Sequence, residues 1–290
     1  MAPLTQKMKT DDVDIDLHHA LQKLDGPEIL VHALKSCDST QQVALALHDD
    51  VAPHGTIVWT RSQSAGRGRG GRSWLGTDDA LLFSMVCRPQ LPLAQLPRLT
   101  LLTGTALLCA LRNLDVPVKL KWPNDVVIET NRDATDAPLG HYRKLAGILV
   151  DVSTRGKSLE RAVVGVGLNA GSSTGLLDDV AIGLADISPR PRRARVIQEV
   201  LTQLREWLQC AGDDDLFQKA LDEQRAHSMT LGAEIRVPDD SLLGIAKDLD
   251  ADGALLVEDA QGRVHRVVAG DVWPIPSQKR YAVQDPLEHS

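Results

Sequence analysis

Between residues 55 and 170 the chain returns repeatedly to short apolar runs of strand length: GTIVWTRS, ALLFSMVCRP, VPVKLKW, VVI, KLAGILVDVS and RAVVGVGLNA. Their β-branched content and length fit strands of a half-buried or buried sheet better than helices. Three other segments, RLTLLTGTALLCALRNL, ARVIQEVLTQLREWLQC and DDLFQKALDEQRAHS, read as helices. After about residue 228 only short strand-like runs remain: AEIRV, LLGIAKDL, ADGALLVED and RVHRVVAGDVW, with Asp252-Gly253 as a turn signal. This order predicts an α/β (α+β) fold, a mixed-sheet domain followed by a small β-barrel. The boundaries fall at 1–28 for an N-terminal extension, 29–228 for the mixed domain, 229–276 for the barrel and 277–290 for a tail.

Composition narrows the classes of function. Apolar residues make up 43% and charged residues 24% of the 290, the balance of a packed globular protein. A net charge of -7 has the wrong sign for a surface that grips nucleic acid throughout, so any polyanion site must be local. The four cysteines, Cys37, Cys87, Cys109 and Cys210, lie far apart without a C-x-x-C pair, which predicts reduced, mostly buried thiols. The first twenty residues mix charges and lack an apolar stretch, and the longest apolar run is too short and mixed for a spanning helix. A cytoplasmic protein is expected, with no membrane partner.

Several short stretches carry chemistry. Ser39, followed three residues later by Gln42, predicts a capping box opening the helix STQQVALALHDD. SAGRGRGGRSW contains a literal G-x-G-x-x-G, yet it joins two strands, whereas a dinucleotide fingerprint must open a helix. Arg61, Arg67, Arg69 and Arg72 bring four positive charges into twelve residues without one acid, and guanidinium groups and glycine backbones suit phosphate. An RNA-binding Arg/Gly tract and a plain surface loop are the alternatives. KLKWPNDVV places Lys119, Lys121, Asn124 and Asp125 at a strand end. It reads either as an ordinary turn or as a site where Mg2+ and ammonium neutralise a nucleotide. Lys144 precedes an apolar strand whose Ala146-Gly147 pair permits close approach of a ligand, and Asn169 ends another.

Taken in order, STQQ, SQSAGRGRGGRSW, KWPNDV, KLAGILV and VGVGLN, then DADGALLVED and VVAGDVW, resemble the biotin protein ligases, or biotin–[acetyl-CoA-carboxylase] ligases, over residues 30–275. The resemblance implies a class II synthetase-like catalytic domain shared with lipoate ligases and an SH3-like C-terminal domain. It implies a ligase forming a C-N bond: biotin and ATP, with Mg2+, give biotinyl-5'-AMP and pyrophosphate. A lysine of a biotin carboxyl carrier protein of acetyl-CoA carboxylase then takes the biotin.

The resemblance also assigns residues. Ser39, Thr40, Gln41, Gln63, Arg67, Gly68, Arg69, Lys144 and Gly147 would hold biotin. Gly66, Arg67, Arg69, Arg72, Trp74, Lys121, Asn124 and Asn169 would hold ATP or the adenylate. Arg69, Lys121, Asp125 and Lys144 would be catalytic, with Asp125 holding Mg2+. Gln41 stands where the family usually has Asn, Gly70 where it often has Arg, and the polar excursion 129–143 is long. No aromatic in 170–206 offers itself to adenine. Some members carry an N-terminal winged helix that binds DNA; about 30 residues before the Ser39 helix are too few for one, so a monofunctional ligase, a monomer or weak homodimer, is expected. A lipoate-type ligase and a non-catalytic RNA-binding module are the competing readings.

Overall fold

The computed structural model describes residues 30–76, 79–130, 139, 141–156, 158–173, 180–187, 189–209, 211–238 and 241–275. The predicted extension 1–28, tail 277–290 and Cys210 lie outside the described residues, as does most of the excursion 129–143.

Seven strands form the larger sheet: β1 Val31–Leu34, β2 Ile57–Thr60, β3 Leu81–Cys87, β4 Val118–Lys121, β5 Asp125–Glu129, β6 Tyr142–Arg155 and β7 Ser158–Leu168, in the order β1-β2-β3-β7-β6-β5-β4. Only β1 and β2 run parallel; every other pair is antiparallel. β1 escaped the sequence reading because VHAL is short, polar at His32 and half-buried, with no alternation to mark it. The helices are α1 Thr40–Ala46, α2 Pro97–Arg112, α3 Arg193–Gln209 and α4 Asp214–Ala226.

The sheet has two unlike faces, and the period-2 alternation of β3 and β7 creates them. Leu81, Phe83, Met85 and Cys87, with Val164, Val166 and Leu168, join the main core together with α2, α3 and α4. The apolarity of α2 is explained by that burial. With its leading turn it spans Leu93–Arg112, long and apolar enough to cross a membrane by length and composition, but most of it is buried in the core. Cys87 is buried there too, and desolvation pushes its thiol up to about 12; Cys37, Cys87 and Cys109 are all free.

The opposite face meets α1. There the residues alternate to Ser84 on β3, Gly165 and Gly167 on β7 and Gly147 on β6, joined by the pairings Ser84↔Gly165 and Gly147↔Gly167. Small residues leave the sheet bare where a cavity is needed.

The second sheet, β8 Glu234–Val237, β9 Leu242–Leu249, β10 Leu255–Glu258, β11 Val264–Val267 and β12 Trp273–Pro274, is antiparallel with order β11-β10-β9-β8-β12. Its Asp250–Ala254 turn seats on the first domain. The Gly253 carbonyl accepts a hydrogen bond from the Trp122 indole at 3.0 Å, and Arg225 on α4 bonds Asp248 and the Leu249 carbonyl, both at 2.8 Å. Gly253 has φ +84°, and a Cβ there would stand 2.1 Å from Leu101 Cδ1 on α2, so glycine is required twice over.

Candidate functional site

A cavity of about 250 Å³ opens on the glycine-bearing face of the sheet, between α1, the Arg/Gly loop and the small barrel. Its walls include Ser39, Thr40, Gln41, Gln63, Arg67, Gly68, Arg69, Arg72, Trp74, Lys121, Asn124, Asp125, Lys144 and Gly147, residues more than a hundred positions apart brought to one place.

At one end the wall is polar and buried. Ser39, Thr40, Gln41 and Ser84 are each under 5% exposed. α1 begins at Thr40 as expected, but Ser39 makes no side-chain cap bond, so the predicted capping box does not form. Instead Gln63, from the strand-end loop after β2, places its Oε1 2.8 Å from the Thr40 amide and satisfies the helix terminus from outside. Gln41 lies along the sheet, donating from Nε2 to the carbonyls of Val163 (2.8 Å) and Leu149 (3.3 Å). The other end of α1 is held by Arg161, whose guanidinium donates to the carbonyls of Ala44, Leu45 and Leu47 and pairs with Asp49.

The middle of the floor is occupied by Trp74. A Cβ at Gly167 would meet its ring at 2.4 Å and one at Gly147 at 2.7 Å, so the indole lies directly on the bare strands. Lys144 Nζ stands 5.1 Å from the centre of that ring, a cation over its face.

The far end is cationic. Asp125, at the start of β5, lies between two ammonium groups, with Lys144 Nζ at 2.7 Å and Lys121 Nζ at 3.7 Å. Burial holds the Lys121 ammonium below its ordinary pKa, and Asp125 works against that shift. Asn124 does not reach outward freely; its Nδ2 donates to the Ile148 carbonyl at 3.0 Å and so fixes the turn to β6. The barrel closes this end with Asp271 and Trp273, the latter ring 5.6 Å from Lys121 Nζ.

The Arg/Gly loop is folded over the opening. Gly66 and Trp74 are joined through Trp74 N–H to Gly66 O at 2.9 Å, and a short 3-10 turn spans Arg69–Gly71. Gly70 and Gly71 adopt φ +64° and +75°, left-handed conformations that suit glycine at both positions. Arg67 pairs with Asp151 at 3.0 Å, Arg69 donates to the Gly270 carbonyl at 2.8 Å, and Arg72 pairs with Asp271 at 2.8 Å. Three of the four loop arginines are thus engaged by the protein itself, which argues against an open RNA-binding tract.

Gly66 and Asn169 are not on the cavity wall. Gly66 packs behind it, where a Cβ would stand 2.8 Å from the Trp74 carbonyl. Asn169 is 2% exposed and donates to the Lys144 carbonyl at 3.4 Å, tying the end of β7 to β6. Asp125 offers no free carboxylate for a metal: Lys144 Nζ lies 2.7 Å from one oxygen and Lys121 Nζ 3.7 Å from the other. That donor set does not make a resident Mg2+ site. Sequence reasoning missed Ser84, Gly165 and Gly167, although their alternation with core residues was a usable signal, and it assigned no role to Asp271 and Trp273.

The sequence pattern of the Biotin/lipoate A/B protein ligase family matches residues 33–169, and that of the Biotin protein ligase C terminal domain matches 230–273. A biotin–[acetyl-CoA-carboxylase] ligase of Mycobacterium tuberculosis is 34% identical over 232 residues, covering 75% of this chain and 78% of that one. The chain belongs to the biotin protein ligase family. The bifunctional ligase/repressor BirA of Bacillus subtilis is 28% identical over 258 residues, covering 85% and 74%. Among solved structures, the biotin protein ligase from Aquifex aeolicus in complex with biotin and ATP is similar with a TM-score of 0.68 and 25% identity, over 84% of this chain and 97% of that one. The mixed sheet followed by an SH3-like domain is therefore the biotin protein ligase arrangement, as the sequence resemblance implied.

Proposed function

We propose that this protein is a biotin protein ligase: it activates biotin with ATP to biotinyl-5'-AMP and pyrophosphate, then passes biotin to a lysine of the carrier of acetyl-CoA carboxylase. One observation carries this reading. A single cavity joins a buried hydrogen-bonding end, a glycine floor and a cationic end under one arginine-bearing loop. The polar end suits the ureido ring of biotin, the indole-covered floor its apolar chain, and the cationic end its carboxylate and the phosphates.

In the first step a biotin carboxylate oxygen attacks the α-phosphorus while the bond to pyrophosphate breaks. Two anions meet, so the site must supply charge and alignment. Lys144 and Lys121 provide ammonium groups at the reacting end, and Asp125 holds both in place. Arg69 and Arg72 cover the phosphates from the loop, and Trp74 offers a flat face for the nucleotide. In the second step the neutral amine of the carrier lysine attacks the acyl carbon, AMP leaves and a proton is released. Between the steps the mixed anhydride must be shielded from water, the task of the closed Arg/Gly loop.

Isotope exchange between pyrophosphate and ATP tests the reading. Exchange with Mg2+ and biotin, but not with lipoate, supports it. Exchange with lipoate alone would replace biotin as substrate, and no exchange with either would end the ligase reading.

A further inference from the structure

The buried polar end of the cavity contains a chain of hydrogen-bonding groups, and their order fixes a direction. Gln41 Nε2 faces the carbonyls of Val163 and Leu149, so its Oε1 must face the other way as an acceptor. Ser84, fully buried at the centre of β3, donates its one proton to that oxygen at 2.9 Å. With that proton used, Ser84 Oγ can meet Thr40 Oγ1, also at 2.9 Å, only as an acceptor, so Thr40 donates to Ser84. The alternative acceptor for Thr40, Gln63 Oε1, lies farther off at 3.3 Å and is already bonded by the Thr40 amide at 2.8 Å.

The consequence is a wall of defined polarity. Thr40 Oγ1 turns only lone pairs toward the cavity, and Gln63, its oxygen tied down, has its amide N–H groups left to offer. An acceptor beside a donor matches one edge of a urea, an N–H next to a C=O. Gly165 belongs to the device: a Cβ there would stand 2.4 Å from Gln41 Oε1 and expel the amide that starts the chain.

We propose that Ser84 and Gln41 are positioning residues for the ureido ring, setting the proton direction at Thr40 without touching the ligand's reacting atoms. The inference rests on the biotin ligase reading and refines it. Ser84→Ala removes the link, leaves Gln41 Oε1 buried without a donor and frees the Thr40 hydroxyl to turn. The expected result in pyrophosphate exchange is a biotin KM raised about tenfold with ATP KM unchanged. Gln41→Met, of similar length without the amide, should act alike. Thermal unfolding of both variants within a few degrees of wild type separates positioning from damage to the sheet.

The most specific readout is discrimination. Wild type should favour biotin strongly over a biotin methylated on a ureido nitrogen, which cannot donate to Thr40, and the preference should shrink in Ser84→Ala. An unmoved biotin KM and an unmoved preference in Ser84→Ala would overturn the inference while leaving the ligase reading intact, as would equal rises in the KM values of biotin and ATP. Wild-type protein that shows no biotin-dependent exchange would defeat both.

Discussion

Replacing Gly167 by alanine tests the seating of Trp74 on the bare strands. The new Cβ would stand 2.4 Å from Cε2, 2.6 Å from Cζ2 and 2.7 Å from Nε1, about 1 Å inside ordinary van der Waals contact across one whole edge of the indole. The ring cannot slide sideways, because Gly147 lies under its other edge and its own backbone is held by the Gly66 carbonyl. It must lift from the strands. Overpacking of this kind costs about 1–3 kcal/mol, and loss of the Lys144 contact adds about 0.5–2 kcal/mol. Because the displaced group belongs to a surface loop and not to the core, the cost should appear in function. ATP KM in pyrophosphate exchange should rise by about tenfold to a few thousandfold, while Tm falls by no more than a few degrees. A Gly167→Ala enzyme with wild-type ATP KM, or one that unfolds far earlier with its kinetics intact, would refute the role given to Trp74.

Other expectations follow from the same geometry. Gly253→Ala meets both a left-handed φ and Leu101, and should lower stability by about 2–4 kcal/mol, read as a lower urea midpoint. Arg161→Met leaves the carbonyls at the end of α1 unpaired; a loss of about 1–3 kcal/mol with a raised biotin KM is expected from denaturation and exchange assays. Asp125→Asn removes the carboxylate that opposes the burial effect on Lys121, so its pKa falls further and the alkaline limb of the pH–rate profile moves to lower pH. The sign follows from protonation: activity that needs the Lys121 cation is lost as pH rises through its folded pKa. Because Lys121 is harder to protonate when folded than when unfolded, its titration makes stability rise with pH in the window just below the ordinary lysine value. Arg69→Ala removes the bond to the barrel at Gly270 and should let the adenylate escape, labelling bystander lysines; unchanged selectivity for the carrier would count against the loop as a lid.

The strands and helices were legible because burial marks residues that pack: ARVIQEVLTQLREWLQC shows it as a helical period and KLAGILVDVS as a short, continuous, β-branched apolar run. VHAL did not, since an edge strand half in water needs no alternation. The cationic residues of the cavity and its loop announced themselves by charge and glycine. The residues that shape the cavity were hidden for the opposite reason: Gly165 and Gly167 matter through what they omit, Ser84 through one buried hydroxyl, and a small residue inside an apolar run looks like a gap in the pattern. Asn169 shows that a polar residue at a strand end has two uses: here its side-chain amide donates to the Lys144 carbonyl and ties the end of β7 to β6. Asp125 was given a metal because sequence order cannot show that Lys144, nineteen positions away, takes the near oxygen.

The unlike faces of β7 also make a forecast about how this chain can vary. Val164, Val166 and Leu168 touch other aliphatic groups, so each can exchange with a neighbour of similar volume. Gly165 and Gly167, one residue away, have no such freedom, because any side chain at all would land in an amide or an indole. A saturation library scored for biotin attachment would therefore alternate, tolerant and intolerant, residue by residue along a single strand. That rhythm would distinguish a chain kept for its ligand from one kept only for its fold.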